Sequence, residues 1–250
     1  MDFHLDLPHE HVERLMGFLG YGNPAGSVWF VGIGEGLGQA ASKDAVENLT
    51  ARGVFEKIMD LRDAHHIRLN GKNGQLIDFD ERPPSTQVWK WTAKIMCASC
   101  GQDWGNPSVV KEYVRCYLGR SEEDTFLTEL SPIPSRHTGE DKIWREMIKT
   151  RCAELGLRFE ELLDKRKKAL LELLQKKRPR LVICYGDGKK RTCEFAKFFS
   201  IEWTSLTAEI KSASINSCPF LLLPFFGRGY MKPSVLEEIF RLNLIPHRST

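Results

Sequence analysis

The feature that most constrains the fold is a short apolar run at residues 28–31 that ends in the alternating glycines of residues 32–38. A short run rich in Val and aromatic side chains predicts a strand that is buried on both faces. Glycines at its carboxyl end allow the backbone to turn sharply and to approach a ligand closely. Ligands of open α/β sheets bind at this end of the strands. The sequence therefore predicts a binding site around Glu35, the carboxylate among these glycines.

Further apolar runs at 125–130, 181–185 and 218–223 also predict buried strands. Segments with helical spacing lie around and between the strands, at 9–20, 43–63, 86–98, 107–119, 140–178, 189–199 and from 233 onwards. Strands that alternate with helices are typical of a parallel sheet covered on both faces. We therefore expect a single α/β domain over residues 1–250, a three-layer α/β/α arrangement with a central, mostly parallel sheet of four or five strands.

Composition narrows the class of protein without identifying a partner. The chain has 250 residues, 42% of them hydrophobic, and a formal charge of +3, which is too small to indicate a nucleic-acid binder. No apolar stretch approaches the roughly 18 residues of a membrane span, and the N-terminus lacks the pattern of a signal peptide. We expect a cytoplasmic protein, or a nuclear one if the source is eukaryotic, that does not bind membranes.

The seven cysteines are scattered, as expected for reduced thiols rather than for a disulfide framework. Cys97 and Cys100 form a close pair that could bind a metal together with Cys116 and Cys152. However, Cys97 continues the apolar pattern of its helix, and no second pair with this spacing follows. We therefore expect no metal and no cofactor.

The ends of the predicted strands carry most of the polar candidates. Glu129 ends the second strand, before the two prolines of 131–135, which predict a rigid loop. The third strand leads through Gly186-Asp187-Gly188 into a helix that begins with Lys189 and Lys190, a place where backbone N–H groups and cations attract anions. The last strand precedes Gly227-Arg228-Gly229. Carboxyl ends of parallel strands meet at one edge of a sheet, so these groups should form a common rim.

This order of motifs resembles the uracil-DNA glycosylase superfamily over roughly residues 20–240. Members have a first strand that ends in a glycine-rich loop and a helix that begins near a proline and carries Trp. A second strand ends in a polar base-reading residue before prolines, and the last strand ends in a His-Pro-Ser motif. The resemblance implies the α/β/α fold and recognition of a base that is flipped out of DNA.

The resemblance assigns the first loop to the base pocket. Gly32 and Gly34 match its glycine-rich loop, although Gly34 stands where many members carry a catalytic Asn or Asp. Glu35 takes the place of the usual proline, so any water-activating carboxylate would be shifted by one residue. Phe79 lies in the stretch that holds the aromatic side chain that stacks on the base.

The remaining assignments concern the later strands. Glu129 falls where members carry an Asn that reads uracil, and an ionised carboxylate can only accept hydrogen bonds. We therefore expect a base other than uracil. Gly227 and Arg228 occupy the place of the missing histidine, and Arg228 could stabilise charge on the departing base. Tyr230 or Met231 could wedge into the DNA, and Lys189 and Lys190 could contact phosphates.

Each assignment has a structural alternative. Glu35 could satisfy backbone amides at a helix start, and Glu129 could pair with Arg136 or Arg228. Phe79 could be a buried anchor beneath its loop. The charged segment at 165–168 is typical of a solvated helix face.

The residues and the resemblance together predict a monomeric, DNA-binding, base-recognising protein that hydrolyses the N-glycosidic bond of an altered base. Two alternatives remain open. One is a catalytically inactive module of the same fold that binds nucleic acid or nucleotides. The other is an enzyme that acts on a free nucleoside or nucleotide.

Overall fold

The computed structural model describes residues 5–36, 42–70, 79, 86–135, 141–186, 188–227 and 229–245. The strands within these residues are β1 (Gly20–Gly22), β2 (Val28–Gly36), β3 (Ile58–Met59), β4 (Thr125–Ser135), β5 (Leu181–Tyr185), β6 (Thr204–Ser205), β7 (Lys211–Ile215) and β8 (Cys218–Leu223). The helices are α1 (His9–Gly17), α2 (Ser42–Arg52), α3 (Leu61–Asn70), α4 (Gln87–Ser99), α5 (Pro107–Cys116), α6 (Asp141–Glu154), α7 (Phe159–Lys177), α8 (Lys189–Phe199) and α9 (Pro233–Arg241).

These strands form one sheet in the order β3-β1-β4-β2-β5-β8-β7-β6. Its centre, β4-β2-β5-β8, is parallel throughout. From β2 the chain adds β4 on one side and then β5 on the other, so the strand order reverses at β2. Open α/β sheets bind ligands at such a switch point, outside the carboxyl ends of the strands.

The expected α/β class is confirmed, but the sheet has eight strands in the described residues rather than four or five. The predicted apolar strands are the four that make the parallel centre. The additional strands flank this centre, with β1 and β3 beyond β4 and with β7 and β6 beyond β8. They have two to five residues each. Gly20–Gly22, for example, reads as a turn in the sequence but pairs with both β3 and β4.

The expected rigid loop at 131–135 is instead the last part of β4. This strand pairs with β2 at Ser131 and Ser135, with a register shift opposite Gly34 and Gly36. Neither Pro132 nor Pro134 is a register partner, so their missing N–H groups remove no paired position.

The predicted helices are mostly confirmed, but two long segments are divided. Residues 43–63 contain α2, β3 and the start of α3, with Gly53 just after the end of α2. Residues 140–178 contain α6 and α7, separated at Gly156, whose φ of +71° suits glycine after a helix. Helix α4 begins after Thr86, whose side chain accepts a hydrogen bond from the Trp89 backbone N–H at 3.1 Å.

Helices cover both faces of the parallel centre because successive strand residues point to opposite sides. Val28 and Phe30 lie in one core cluster with apolar residues of α4, α5 and α9. Trp29 and Val31 lie in another, with apolar residues of α7 and α8. This double burial explains why the strand sequence is continuously apolar.

Arg166 ties α7 to the middle of β4. It lies in the segment expected to be a solvated face, yet its side chain is buried. The guanidinium donates to the backbone carbonyls of Phe18 at 2.6 Å, Glu129 at 2.7 Å and Leu130 at 3.0 Å. Burial lowers its pKa to about 10, although the neighbouring Glu129 opposes this shift. Arg166 thus fixes the backbone from which the Glu129 side chain projects.

Replacing Arg166 should therefore destabilise the protein. Arg166→Met removes the donor from three carbonyl groups, and each buried group left unsatisfied costs about 1–3 kcal/mol. We expect the free energy of unfolding to fall by about 3 kcal/mol or more, measured by urea denaturation. The exposed neighbour Lys165 supplies the control, since Lys165→Met should change it by less than about 0.5 kcal/mol. Equal stabilities of the two variants would contradict this role of Arg166.

Candidate functional site

Three neighbouring strands meet closely at Gly32. This residue is the register partner of Glu129 on β4, and Tyr185 ends β5 on its other side. The Tyr185 hydroxyl donates a 2.8 Å hydrogen bond to Glu129 Oε1, so the bond spans the strand that carries Gly32. A Cβ atom on Gly32 would overlap Glu129 Oε2 and would lie 2.5 Å from the Tyr185 hydroxyl oxygen. Glycine is therefore required here by the space that these two side chains fill.

The Tyr185 ring is itself held in place. It stacks on Phe226, with ring centroids 4.7 Å apart and planes inclined by 13°. Phe226 is fully buried, and Tyr185 is nearly so. A rigid phenol positions the Oε1 atom that it contacts, so this hydrogen bond restricts the otherwise soft terminal torsion of Glu129.

Glu35 belongs to a second polar group beside the first. Its Oε2 atom accepts a 2.8 Å hydrogen bond from the Tyr21 hydroxyl and lies 2.5 Å from Arg52 Nη2. The side chain of Arg52 is only 2% exposed, whereas that of Glu35 is 22% exposed. Asn48 supports Arg52 from the same helix by accepting a 2.8 Å hydrogen bond from Nε. Glu35 is thus a partly exposed carboxylate anchored from its buried side.

The charge of Arg52 is secured by this contact. Burial alone lowers the pKa of Arg52, but the neighbouring Glu35 and Tyr21 outweigh burial and raise it. A buried guanidinium needs such a partner, because an unpaired charge would be strongly destabilising. Glu35 and Arg52 therefore form one ion pair rather than two independent groups.

Glu129 lies in surroundings that favour its protonated form. Removal from water raises the pKa of Glu129 to about 8, against the opposing effect of the Tyr185 hydrogen bond. The charge of Glu35 raises it further, while Arg166 and Arg52 lower it. The residue as a whole is half-buried, but Oε2 is closed to solvent, and this favours the neutral form.

The neutral form changes what Glu129 can recognise. The expectation that Glu129 only accepts hydrogen bonds assumes an ionised carboxylate. A protonated carboxyl group has one O–H donor and keeps acceptor capacity. At neutral pH, Glu129 therefore offers the same pair of functions as a side-chain amide, and its residue type gives no reason to exclude uracil.

Two other residues predicted for the base pocket lie in different surroundings. Gly34 is exposed, and a Cβ atom there would come no closer than 3.7 Å to another residue, at Ser131 Cβ. Phe79 is fully buried, and its ring lies 5.5 Å from His65 and 6.1 Å from Trp89. The guanidinium of Arg120 covers it at 4.9 Å. Phe79 is thus a buried anchor. Among the described residues its ring partners are His65, Trp89 and Arg120, and these are not the partners of Glu35 or Glu129.

The predicted DNA-contacting residues follow the carboxyl ends of β5 and β8. Lys189 and Lys190 are exposed at the start of α8, and Lys190 Nζ lies 3.8 Å from Glu194 Oε1. Tyr230 is 59% exposed, whereas Met231 is buried, so of these two only Tyr230 is available as a wedge. Gly227 is buried, with the ring of Phe225 against it. Arg228 lies outside the described residues, as do Arg136 and residues 71–78 and 80–85 on either side of Phe79.

The cysteines contribute no recognisable metal site in the described part of the chain, where no group of three or more potential metal-ligating side chains occurs. Cys97 is buried in α4, and burial together with the nearby Cys100 raises its pKa to about 12. Within the same residues, no helix has the length and apolar composition needed to span a membrane.

Four residues that contribute to the site were not identified from the sequence, namely Tyr21, Arg52, Arg166 and Tyr185. Tyr185 has a usable signal, because it ends a buried strand immediately before Gly186. The others have none, since each comes from an element that only the tertiary fold brings to β2 or β4.

No protein-family model, curated protein or solved structure matches this chain.

The crowding at Gly32 predicts different effects of alanine at two nearby glycines. Gly32→Ala should push Glu129 and Tyr185 apart and destabilise the protein by about 2 kcal/mol, as overpacked cores do. Gly34→Ala enters open space and should change stability by less than about 1 kcal/mol. Chemical denaturation of both variants measures the difference. Equal effects would show that the Glu129 carboxyl moves aside without cost.

The raised pKa of Glu129 predicts a pH-dependent stability. Its folded pKa of about 8 exceeds the ordinary value of 4.5, so the folded state binds more protons between these pH values. Stability should therefore fall as the pH rises from about 4.5 to about 8. Glu129→Gln keeps the shape and the hydrogen bond to Tyr185 but cannot ionise, so it should lose this pH dependence. Parallel stability curves for both proteins would contradict a neutral Glu129.

Proposed function

We propose that this chain is a base-recognising protein of the glycosylase type, which binds a nucleobase of DNA and hydrolyses its N-glycosidic bond. The base lies beside the middle of β4 and the carboxyl ends of β2 and β5, between Glu35 and Glu129. Lys189, Lys190 and Tyr230 contact the surrounding nucleic acid. No metal or cofactor takes part in this proposal.

The observation that carries the proposal is that two carboxyl groups in different surroundings lie at the switch point of the sheet. Glu35 forms an ion pair with Arg52, whereas removal from water raises the pKa of Glu129 to about 8. Two such groups whose surroundings separate their pKa values are typical of acid–base sites. Their position at a strand-order reversal is also where α/β sheets bind ligands.

The chemistry divides between the two residues. Glu129 holds the base by hydrogen bonds to its polar edge, and these bonds help to offset the few kcal/mol that base extrusion costs. Glu35, whose carboxylate is partly exposed, orients and activates the attacking water. Arg228 supports the negative charge that develops on the leaving base, as positioned cations do at other sites.

One observation favours the alternative of a binding module without catalysis. The Glu35 carboxylate already contacts both Arg52 and Tyr21 at short distances. A carboxylate that is neutralised in this way is a weaker base than a free one. On this alternative the chain recognises the same base at Glu129 and releases it unchanged.

A panel of single- and double-stranded oligonucleotides separates these functions. Each carries one uracil, hypoxanthine, xanthine or ordinary base, and both binding and release of the base are measured. Release supports the glycosylase. Salt-dependent binding without release supports the module. If no oligonucleotide binds but a free nucleoside or nucleotide is converted, the proposal is wrong and the third alternative of an enzyme for small substrates holds.

The variant Glu35→Gln tests the assigned catalytic carboxylate. It keeps the size of the side chain and can still bond to Tyr21, but it cannot act as a base. Because it also leaves the buried Arg52 without an anionic partner, the folded fraction of the variant is measured by circular dichroism and base release is compared per folded molecule. We expect base release to fall by about 10²- to 10⁴-fold while oligonucleotide affinity changes little. Glu56→Gln, at an exposed position, is the matched control and should release the base at the wild-type rate. Undiminished release by Glu35→Gln would exclude Glu35 as the water-activating residue.

A further inference from the structure

The Glu129 carboxyl group has one satisfied and one unsatisfied oxygen. Oε1 accepts from the Tyr185 hydroxyl at 2.8 Å. Oε2 is closed to solvent and has no hydrogen-bond partner within the described residues. Buried polar atoms without partners are rare, because leaving such an atom unsatisfied costs free energy. The unsatisfied oxygen therefore has hydrogen-bonding capacity that a ligand can use.

The surroundings of this oxygen can favour either protonation state. Tyr185 on β5 and the cations Arg166 on α7 and Arg52 on α2 favour the ionised form. Burial and the charge of Glu35 on β2 favour the neutral form. Glu35 is in turn held by Tyr21 on β1. Opposing influences of this kind place the change of state near physiological pH.

We propose that Glu129 reads a base in two protonation states, donating to a carbonyl oxygen as a carboxylic acid and accepting from an amino group as a carboxylate. Tyr185 is the positioning residue that sets the pH of this change. The inference rests on the proposed function, because it names the feature of the base that the same site selects. It goes further in stating that the preferred class of base reverses with pH.

The hydrogen-bond geometry explains how a single side chain can do this. Tyr185 anchors Oε1 in both states, since a hydroxyl can donate to a carboxyl or to a carboxylate oxygen. Only Oε2 changes from donor to acceptor. Because this atom is closed to solvent, the ligand contact requires a small rotation of the Glu129 side chain, whose terminal torsion is soft.

Matched pairs of bases provide the test. Uracil and cytosine, or hypoxanthine and adenine, differ by a carbonyl group in place of an amino group. Each is placed once in a single-stranded oligonucleotide, and binding is measured at about pH 6.5 and about pH 9, on either side of the change in Glu129. We expect the carbonyl member to bind about tenfold more tightly at the lower pH. This preference should vanish or reverse at the higher pH.

Variants assign the effect to the two residues. Glu129→Gln has no ionisable group at this position. Any pH dependence of its base preference therefore comes from ionisation of the bases, and the variant is the control for that effect. Tyr185→Phe removes a bond that favours the carboxylate, so the midpoint of the pH profile should move to higher pH. A merely structural role of Tyr185 would not move that midpoint. Tyr117→Phe, at an exposed tyrosine, is the control and should leave the profile unchanged.

The outcomes distinguish this inference from the proposed function. If oligonucleotides bind but the preference is the same at both pH values, or Glu129→Gln shows the same profile as the wild type, the inference is wrong and the proposed function stands. If no oligonucleotide binds at either pH, both are wrong. A reversal that persists in Glu129→Gln assigns the effect to the bases themselves and also overturns the inference.

Discussion

The hydrogen bond between Tyr185 and Glu129 governs the arrangement of the carboxyl rim. It joins the strands on both sides of β2 and is possible only because Gly32 has no side chain between them. The parallel registers of β4 and β5 with β2 bring the two residues to the same level. A small change at Gly32 would therefore alter the position of a carboxyl group that lies on another strand.

The distribution of buried charge follows from this arrangement. Two arginines lie beside the rim, and they contact different kinds of group. Arg52 faces the Glu35 carboxylate and keeps it ionised, whereas Arg166 donates to backbone carbonyls and leaves the Glu129 carboxyl to Tyr185. The site consequently has one carboxyl group paired with a cation and one whose pKa is raised by removal from water. This difference could not arise from residue type, because both are glutamates.

The outer parts of the sheet show why some elements cannot be predicted. Strands β1 and β3 have only two or three residues, and such short segments carry no measurable period. The prolines of β4 predict a loop by their missing donors, yet the strand continues through them with a shifted register. In both cases the pairing partner, and not the local sequence, decides that a strand forms.

The sequence by itself determined the parallel centre of the fold and the polar groups at its rim. The strands Leu181–Tyr185 and Cys218–Leu223 and the helix Lys189–Phe199 follow directly from apolar runs, helical spacing and their glycine and proline boundaries. These signals are local, so they can be read from consecutive residues. Only the tertiary structure decided that Glu35 pairs with Arg52, that Glu129 is neutral and that Phe79 is a buried anchor. Burial and charge depend on atoms contributed by residues far apart in the chain, which no local pattern encodes.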